Sequence, residues 1–447
     1  MNSKVVMIGA GVANVNAATK LIDEGYNGKI TIIDMGKNPY DRPYDDVMTG
    51  FLGAGGWSDG KLTYHTSIGG QLSKYCGEDK AMELMDQVIE NFKRFHPKPE
   101  EVQCSNPIAE PDFIKPHFGL RLFPVWHVGT DYLHEIGKNW YDFLVSKGIK
   151  FEWETKVIEI SFETQEVWTD KSENNNFFYN RLMFAVGKSG IDFGKQLADD
   201  YTLPTEPKPV QIGVRFEAPQ KHFQKLIDIS YDFKLYRKFD EGVSLRSFCT
   251  NNNAAYVAVE ETYGNHSYNG HAKKDESFRN DMTNFGILME IPGIEEPFAW
   301  SRELVSKVNK EGTGLYYSPT RTPSTTSEGD IVSAVTIDEM DEIRDAFQGY
   351  YKYIDDFIDD MKKIFPTLGD DWGIYVPEVK YLSPEPLVNY DDLSLNGFPN
   401  VHFVGDALSA RGITVSGAQG TYVAESILGE YKKDSYIYDQ GPGDIFN

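Results

Sequence analysis

Residues 4–34 constrain the fold more than any other stretch. A hydrophobic run, Val5-Val6-Met7-Ile8, leads into Gly9-Ala10-Gly11, then into a helical stripe of Ala17, Ala18, Leu21 and Ile22 that Gly25 closes as a C-cap. A second strand, Ile30-Thr31-Ile32-Ile33, ends on Asp34. This is a βαβ unit with a glycine turn between its first strand and its helix. Gly9 permits the tight turn, and Gly11 lets backbone approach a pyrophosphate. The helix start around Ala13 offers free N–H groups and the positive end of a dipole. Asp34 stands where a carboxylate accepts hydrogen bonds from an adenosine ribose. The full fingerprint has a third glycine at position 14, where helix and strand pack closely; here it is Asn14. A βαβ unit that holds no nucleotide remains the alternative.

Two later motifs fit the nucleotide reading. Gly53-Ala54-Gly55-Gly56-Trp57-Ser58-Asp59-Gly60-Lys61-Leu62 is dense in glycine, so its backbone can press against a ligand without Cβ clashes. Gly55 and Gly56 supply that approach, and Ser58 and Lys61 supply a hydroxyl and an ammonium for a polar ring or phosphate. The alternative is a surface loop. Near the other end, Val401-His402-Phe403-Val404 delivers Gly405-Asp406 to the mouth of a sheet, followed by Arg411-Gly412-Ile413 and a helix expected from Ser416 to Leu428. A carboxylate there suits the ribityl hydroxyls of FAD. The helix start at Gly412 and Ile413 then faces the pyrimidine edge of the flavin, where reduction builds negative charge.

These motifs span nearly the whole chain in order. With His127-Val128-Gly129-Thr130-Asp131, Ala185-Val186-Gly187, Ile212 to Glu217, Phe248-Cys249 and Tyr268-Asn269-Gly270-His271, the chain resembles the two-dinucleotide-binding-domain flavoproteins of the glutathione-reductase-like fold. Within that group it is most similar to an FAD-dependent dehydrogenase family that carries a glycine-rich loop ending in SDGKL. The resemblance implies extended FAD, with Asp34 at the adenosine ribose, Val157 at the adenine, Ala185 and Gly187 along the cofactor, and Asp406 at the ribityl chain. The chain departs from the family at Asn14, at Asp406-Ala407-Leu408, and at Val379-Lys380-Tyr381 after Glu378.

The expected fold class is α/β: a Rossmann-like FAD-binding domain, with a parallel sheet and a β-meander in three layers, carrying an inserted α+β substrate domain. The 447 residues allow two or three domains. The FAD-binding part is assigned to 1–205 and 371–433, the substrate domain to 206–370, and a loose acidic tail to 434–447. Helices are expected at Asp131–Lys147 and near Met340–Ile364. Pro204-Thr205-Glu206-Pro207-Lys208-Pro209 reads as a linker, because prolines cannot pair in a central strand.

The expected activity is hydride transfer between flavin N5 and a small organic substrate. A flavin monooxygenase and a flavin-free binding protein of the same fold are the alternatives. Candidate groups for proton work are His65, just past the loop, and His271, in the Asn-Gly-His turn of the inserted domain; each also reads as a structural histidine. Arg246 and Arg411 suit a carboxylate or phosphate on the substrate. Arg215 and Glu217 alternate on one strand face as an ion pair, and Cys249 reads as a small core residue. Gly312-Thr313-Gly314 does not open a helix, so electrons are expected from transiently bound NAD(P)H, a protein donor or the substrate itself. No metal-ligand spacing is present, so no metal is expected. The net charge of −24 disfavours broad nucleic-acid binding. No apolar run approaches a membrane span and no signal peptide is apparent. Three scattered cysteines suit a reducing compartment, so the expected location is cytoplasmic.

Overall fold

The computed structural model describes residues 3–43, 46–171, 176–239, 241–273, 275–309, 314–322, 333–382 and 384–439. The opening unit forms as strand Lys4–Ile8, helix Val12–Asp23 and strand Lys29–Ile33. Lys4–Ile8 lies inside a six-stranded sheet, with Val6 opposite Thr31 on one side and Leu182 on the other. The order across the sheet is Ser394–Leu395, Phe398–Phe403, Arg181–Phe184, Lys4–Ile8, Lys29–Ile33 and Lys150–Glu152. All neighbours are parallel except the first pair. Strands of such a sheet are covered on both faces, which is why Val5, Val6, Met7 and Ile8 are all buried with no polar alternation. The same core takes in helices Glu78–Phe95, Leu133–Ser146 and Ile413–Asp439. It also takes in the antiparallel meander Val157–Ser161, Glu166–Thr169 and Asn176–Phe178. The architecture is the Rossmann-like α/β class with a β-meander.

Asn14 is fully buried, and its Nδ2 donates to the carbonyls of Ile8 and Gly9 at 3.0 and 2.8 Å. Close helix packing is achieved from the other partner: a Cβ at Gly420 of the last helix would collide with the Ala13 carbonyl. The missing third glycine is therefore supplied by Gly420, while Asn14 fastens the turn.

The second sheet has eight strands, ordered Ser333–Ala334, Leu315–Tyr317, Gly373–Lys380, Val210–Pro219, Met282–Ile291, Ser244–Asn253, Phe233–Lys238 and Gly119–Leu122. Its strands alternate with period two. Ile212, Val214, Phe216, Phe285, Ile287 and Met289 point to one face and pack on helices Pro297–Val308, Ile337–Ala346 and Lys352–Ile364. Full burial of each such side chain contributes about 1.5–3 kcal/mol. Gln211, Gly213 and Arg215, with Asn284, Gly286 and Glu290, point the other way.

Four expectations change. Gly373–Lys380, expected in the return segment of the first domain, sits in the eight-stranded sheet between Leu315–Tyr317 and Val210–Pro219. Its residues up to Val379 are buried on both faces, so no alternation marks it as part of that sheet. The last helix starts at Ile413 and runs through Asp439, so 434–439 is helical; 440–447, like Gly312 and Thr313, lies outside the described residues. Thr205–Glu206 of the expected linker pairs with Glu385–Pro386 as a short two-stranded edge. His271 lies within strand Asn265–Ala272, not in a turn. That strand and Ala255–Thr262 form a hairpin that turns at Tyr263-Gly264, with φ of 56° and 72°. Among the described residues no helix is long and apolar enough to cross a membrane.

Candidate functional site

A cleft of about 620 Å³ opens at the C-terminal ends of the parallel strands. Gly9 has φ 90°, and a Cβ there would collide with the Ala185 carbonyl. Gly11 differs. Its φ is −71°, and an added Cβ would meet only the Ala185 carbonyl oxygen at 3.9 Å. Protein packing does not demand glycine at 11; a ligand's approach to the helix start would. Ala13, Ala185 and Gly187 line the same cleft, as do Val157 and, from the opposite wall, Gly405, Asp406, Gly412 and Ile413. Two helix N-termini, at Val12 and Ile413, thus border one cavity, each with first-turn N–H groups that have no intrahelical acceptor.

Asp34 is on the wall, and both its oxygens are already in use. Oδ2 accepts from the Ala10 amide at 2.6 Å; Oδ1 accepts from Gly36 and Gly50 at 2.7 and 2.9 Å. Burial raises its pKa against the pull of those three amides. The carboxylate ties the turn to the loop, and the residue lines the cleft.

The glycine-rich loop divides between two cavities. Gly53, Ala54 and Gly55 border the cleft, and a Cβ on Gly55 would strike the Val12 side chain. Gly56 does not line it; it is packed against Phe51 and Arg42. Ser58 borders both the cleft and a second cavity of about 730 Å³. Lys61, expected at the cofactor, turns instead into the second cavity's wall. Its Nζ meets Asp59 at 2.9 Å and Asp232 at 3.2 Å and donates to the Thr250 carbonyl at 2.6 Å. Burial opposes the ammonium, but Asp232 and Asp59 outweigh it and raise its pKa. All three donors are spent inside the protein. Sequence reasoning also missed Arg42, whose guanidinium donates to the carbonyls of Asp46, Phe51 and Gly53 and clamps the loop. Burial brings it down to about 10. Arginine at the foot of a glycine loop was the available signal.

The second cavity shares Ser58, Asn269, Arg411, Gly412 and Ile413 with the cleft, so the two adjoin. Arg411 pairs with Asp406 at 2.8 Å, and its Nε is buried with no acceptor. Arg246 lines this cavity, held by Gln211 at 3.0 Å and Glu290 at 3.3 Å. Neither expected histidine lines either cavity. His65 is drawn into a local turn, its Nδ1 accepting from the Ser67 amide at 3.1 Å. His271 follows Gly270 of the cavity wall on the same strand, and burial lowers its pKa more than Asp59 and Glu260 raise it.

Beneath the cavity floor, Arg215 is fully buried. It donates to Asn284 Oδ1, to the Cys249 carbonyl at 2.8 Å and, at 3.4 Å, to Glu378. Its expected partner Glu217 lies nearer Tyr375 instead, because residues two apart on a strand splay along it. Cys249 lines the cavity with φ 53°, beside a register shift between Phe248 and Asn251. Its thiol donates to Asp59 Oδ2 at 3.0 Å, and burial pushes it up to about 11.

No protein-family model and no curated protein matches the chain. Among solved structures it is similar to the halogenase PltM in complex with phloroglucinol and FAD, at 12% identity over 97% of this chain and 71% of that one, with a TM-score of 0.43. It is similar to a flavoprotein/dehydrogenase from Cytophaga hutchinsonii at 13% identity, over 96% of this chain and 79% of that one, with a TM-score of 0.43. It is also similar to glycine oxidase from Bacillus cereus at 12% identity, over 96% of this chain and 95% of that one, with a TM-score of 0.43.

Proposed function

We propose that the chain is an FAD-dependent oxidoreductase that moves a hydride between the flavin and a small organic substrate in the adjoining cavity. The observation that carries this reading is the shared wall: Ser58, Asn269, Arg411, Gly412 and Ile413 border both the cleft and the second cavity. A redox cofactor and its substrate must meet at one face, and this wall is where two cavities of suitable size adjoin.

The residues fit the group. Gly11 leaves a space that packing does not require, and buried Arg411 Nε and Thr414 Oγ1 lack partners. In this reading Gly9, Gly11 and Ala13 cradle the pyrophosphate, Asp34 receives the ribose hydroxyls, and Val157, Ala185 and Gly187 flank the adenosine half. Gly55 and Ser58 press on the middle of the cofactor, and Gly405 and Asp406 hold the ribityl chain. When bound, FAD supplies a hydride donor and acceptor at N5. The helix starting at Ile413 stabilises negative charge at the pyrimidine edge by about 0.3–1 kcal/mol, or up to about 2 when partly buried. Arg246 and Arg411 orient substrate. His65 and His271 line neither cavity and are given no role in this reading. The cofactor role falls to the residues of the parallel sheet. The substrate role falls to the eight-stranded sheet, taken through Lys380. Transient NAD(P)H supplies electrons, or a protein partner supplies or removes them, in a reducing cytoplasmic setting that suits the three free cysteines.

The test is an absorbance spectrum of the purified protein, with bands expected near ~370 and ~450 nm for protein-bound oxidised flavin. Bleaching with NADH, NADPH and dithionite then separates donors. A colourless protein that takes up no FAD on reconstitution would falsify the reading.

A further inference from the structure

We propose that the cavity beside the cleft receives an organic acid with two anionic groups, held by the cluster of Lys234, Arg246, Lys380 and Arg411. The inference rests on the redox reading above and names its substrate class.

The protein as a whole carries −24, yet this cavity is lined by seven Lys and Arg against four Asp and Glu. Local charge of the opposite sign to the whole is costly to assemble, because like charges at close range repel in a partly desolvated site. Several of these cations are accounted for internally. Lys61 is matched by Asp59 and Asp232, and Lys208 by Glu385 at 2.6 Å. Lys234 and Lys380 are not: neither has an ion-pair partner among the described residues. Their ammonium groups instead lie over aromatic rings, Lys234 at 5.1 Å from Phe123 and Lys380 at 4.2 Å from Phe248. Both side chains are half-buried, so water does not screen them as it screens a surface lysine. Burial and the neighbouring cations push Lys380 down to about 7, and burial brings Lys234 to about 8. An anion in the cavity relieves both strains.

The sheet sets the spacing. Lys234 and Arg246 stand on adjacent strands, Phe233–Lys238 and Ser244–Asn253, with Arg246 opposite Tyr236. Lys380 pairs with Gln211, and Gln211 with Glu290, so Lys380 lies three strands from the strand of Arg246. At about 4.8 Å per strand that is roughly 14 Å between backbones, and the long side chains close much of it. Arg246 reaches Gln211, the strand partner of Lys380, at 3.0 Å, and it weighs on Lys380 more than any other cation, followed by Lys234 and by Arg411 from the first domain. Four cations therefore share one cavity with Gln211 and Glu290 among them, more positive charge than a single carboxylate offsets.

The test is calorimetric titration of the purified protein, its flavin content measured separately, with succinate, inorganic phosphate and acetate at matched ionic strength. Succinate should bind at least about tenfold more tightly than either other anion. Lys234→Met and Lys380→Met should each weaken it about tenfold, the worth of one charge-assisted contact. Lys234→Gln and Lys380→Gln serve if the methionine variants do not fold. Succinate binding no tighter than acetate, or unchanged in the folded variants, overturns the proposal. Phosphate binding tightly where succinate does not overturns the assignment to a dicarboxylate. Flavin-free protein that binds succinate removes the redox reading and keeps the dianion site; yellow protein indifferent to succinate does the reverse.

Discussion

Lys61 Nζ and Asp232 Oδ2 come from positions 171 residues apart and meet at 3.2 Å, joining the glycine-rich loop to the eight-stranded sheet. With Asp59 on the same ammonium, this buried triad pins the loop against the second domain. Lys61→Met leaves two buried carboxylates without their counter-charge, at an expected cost of about 3–5 kcal/mol. Urea unfolding measures it. A variant as stable as the parent would show that the triad does not hold the loop.

Gly11→Val separates ligand space from packing space. The nearest protein atom to a Cβ at 11 is 3.9 Å away, so the variant should fold with near-parent thermal stability and bind FAD at least about a hundredfold more weakly. Equilibrium dialysis against FAD gives the answer. Undiminished affinity in a folded variant would move the pyrophosphate elsewhere.

Gly270→Ala tests the floor beneath the cavity. The new methyl would collide with Arg215 Nη2, which Asn284 and the Cys249 carbonyl hold in place. Overpacking of this kind costs about 1–3 kcal/mol. Glycine-like stability would mean that Arg215 can swing aside.

The pH response follows from Lys380. Burial, then Arg246, Lys234 and Arg411, lower it to about 7; Glu378 pulls the other way and is itself raised to about 7 by burial. The folded state holds this lysine's proton less tightly than the unfolded chain, where it titrates near 10.5. Stability from this group is therefore greatest above that value and declines as pH falls towards 7. Anion binding has the opposite sign. It needs the protonated lysine, so succinate affinity should fall as pH rises through about 7, with proton uptake on binding near pH 7.5. Titrations in two buffers of different ionisation enthalpy report that uptake, and a flat profile would remove Lys380 from the site.

Local patterning revealed the parallel-sheet half well. The glycine turn, the strand ending on Asp34 and the late Gly405-Asp406 strand are short-range signals whose geometry follows from adjacent residues. Asn14 showed that a fingerprint position was altered, but its remedy, Gly420, lies on a helix at the other end of the chain. The eight-stranded sheet was harder. Gly373–Lys380 is buried on both faces and shows no alternation that assigns it to a sheet. Lys61 looked like a ligand group because its partner Asp232 is distant in sequence. Asn269-Gly270 mimicked a turn, although its glycine answers to Arg215 beneath it.

The strand Gly119–Leu122 lies at one edge of the eight-stranded sheet, beside Phe233–Lys238. During synthesis it leaves the ribosome well before that partner exists, and Phe398–Phe403, which completes the parallel sheet beside Arg181–Phe184, emerges almost last. Neither half can finish folding on a nascent chain by itself. The open edge at Arg181–Phe184 waits, while residues 185–397 are made, as an unpaired template for other strands. In a cell, a stalled or prematurely terminated chain would therefore present that edge to chaperones, and early stop codons should yield aggregates instead of a smaller working protein.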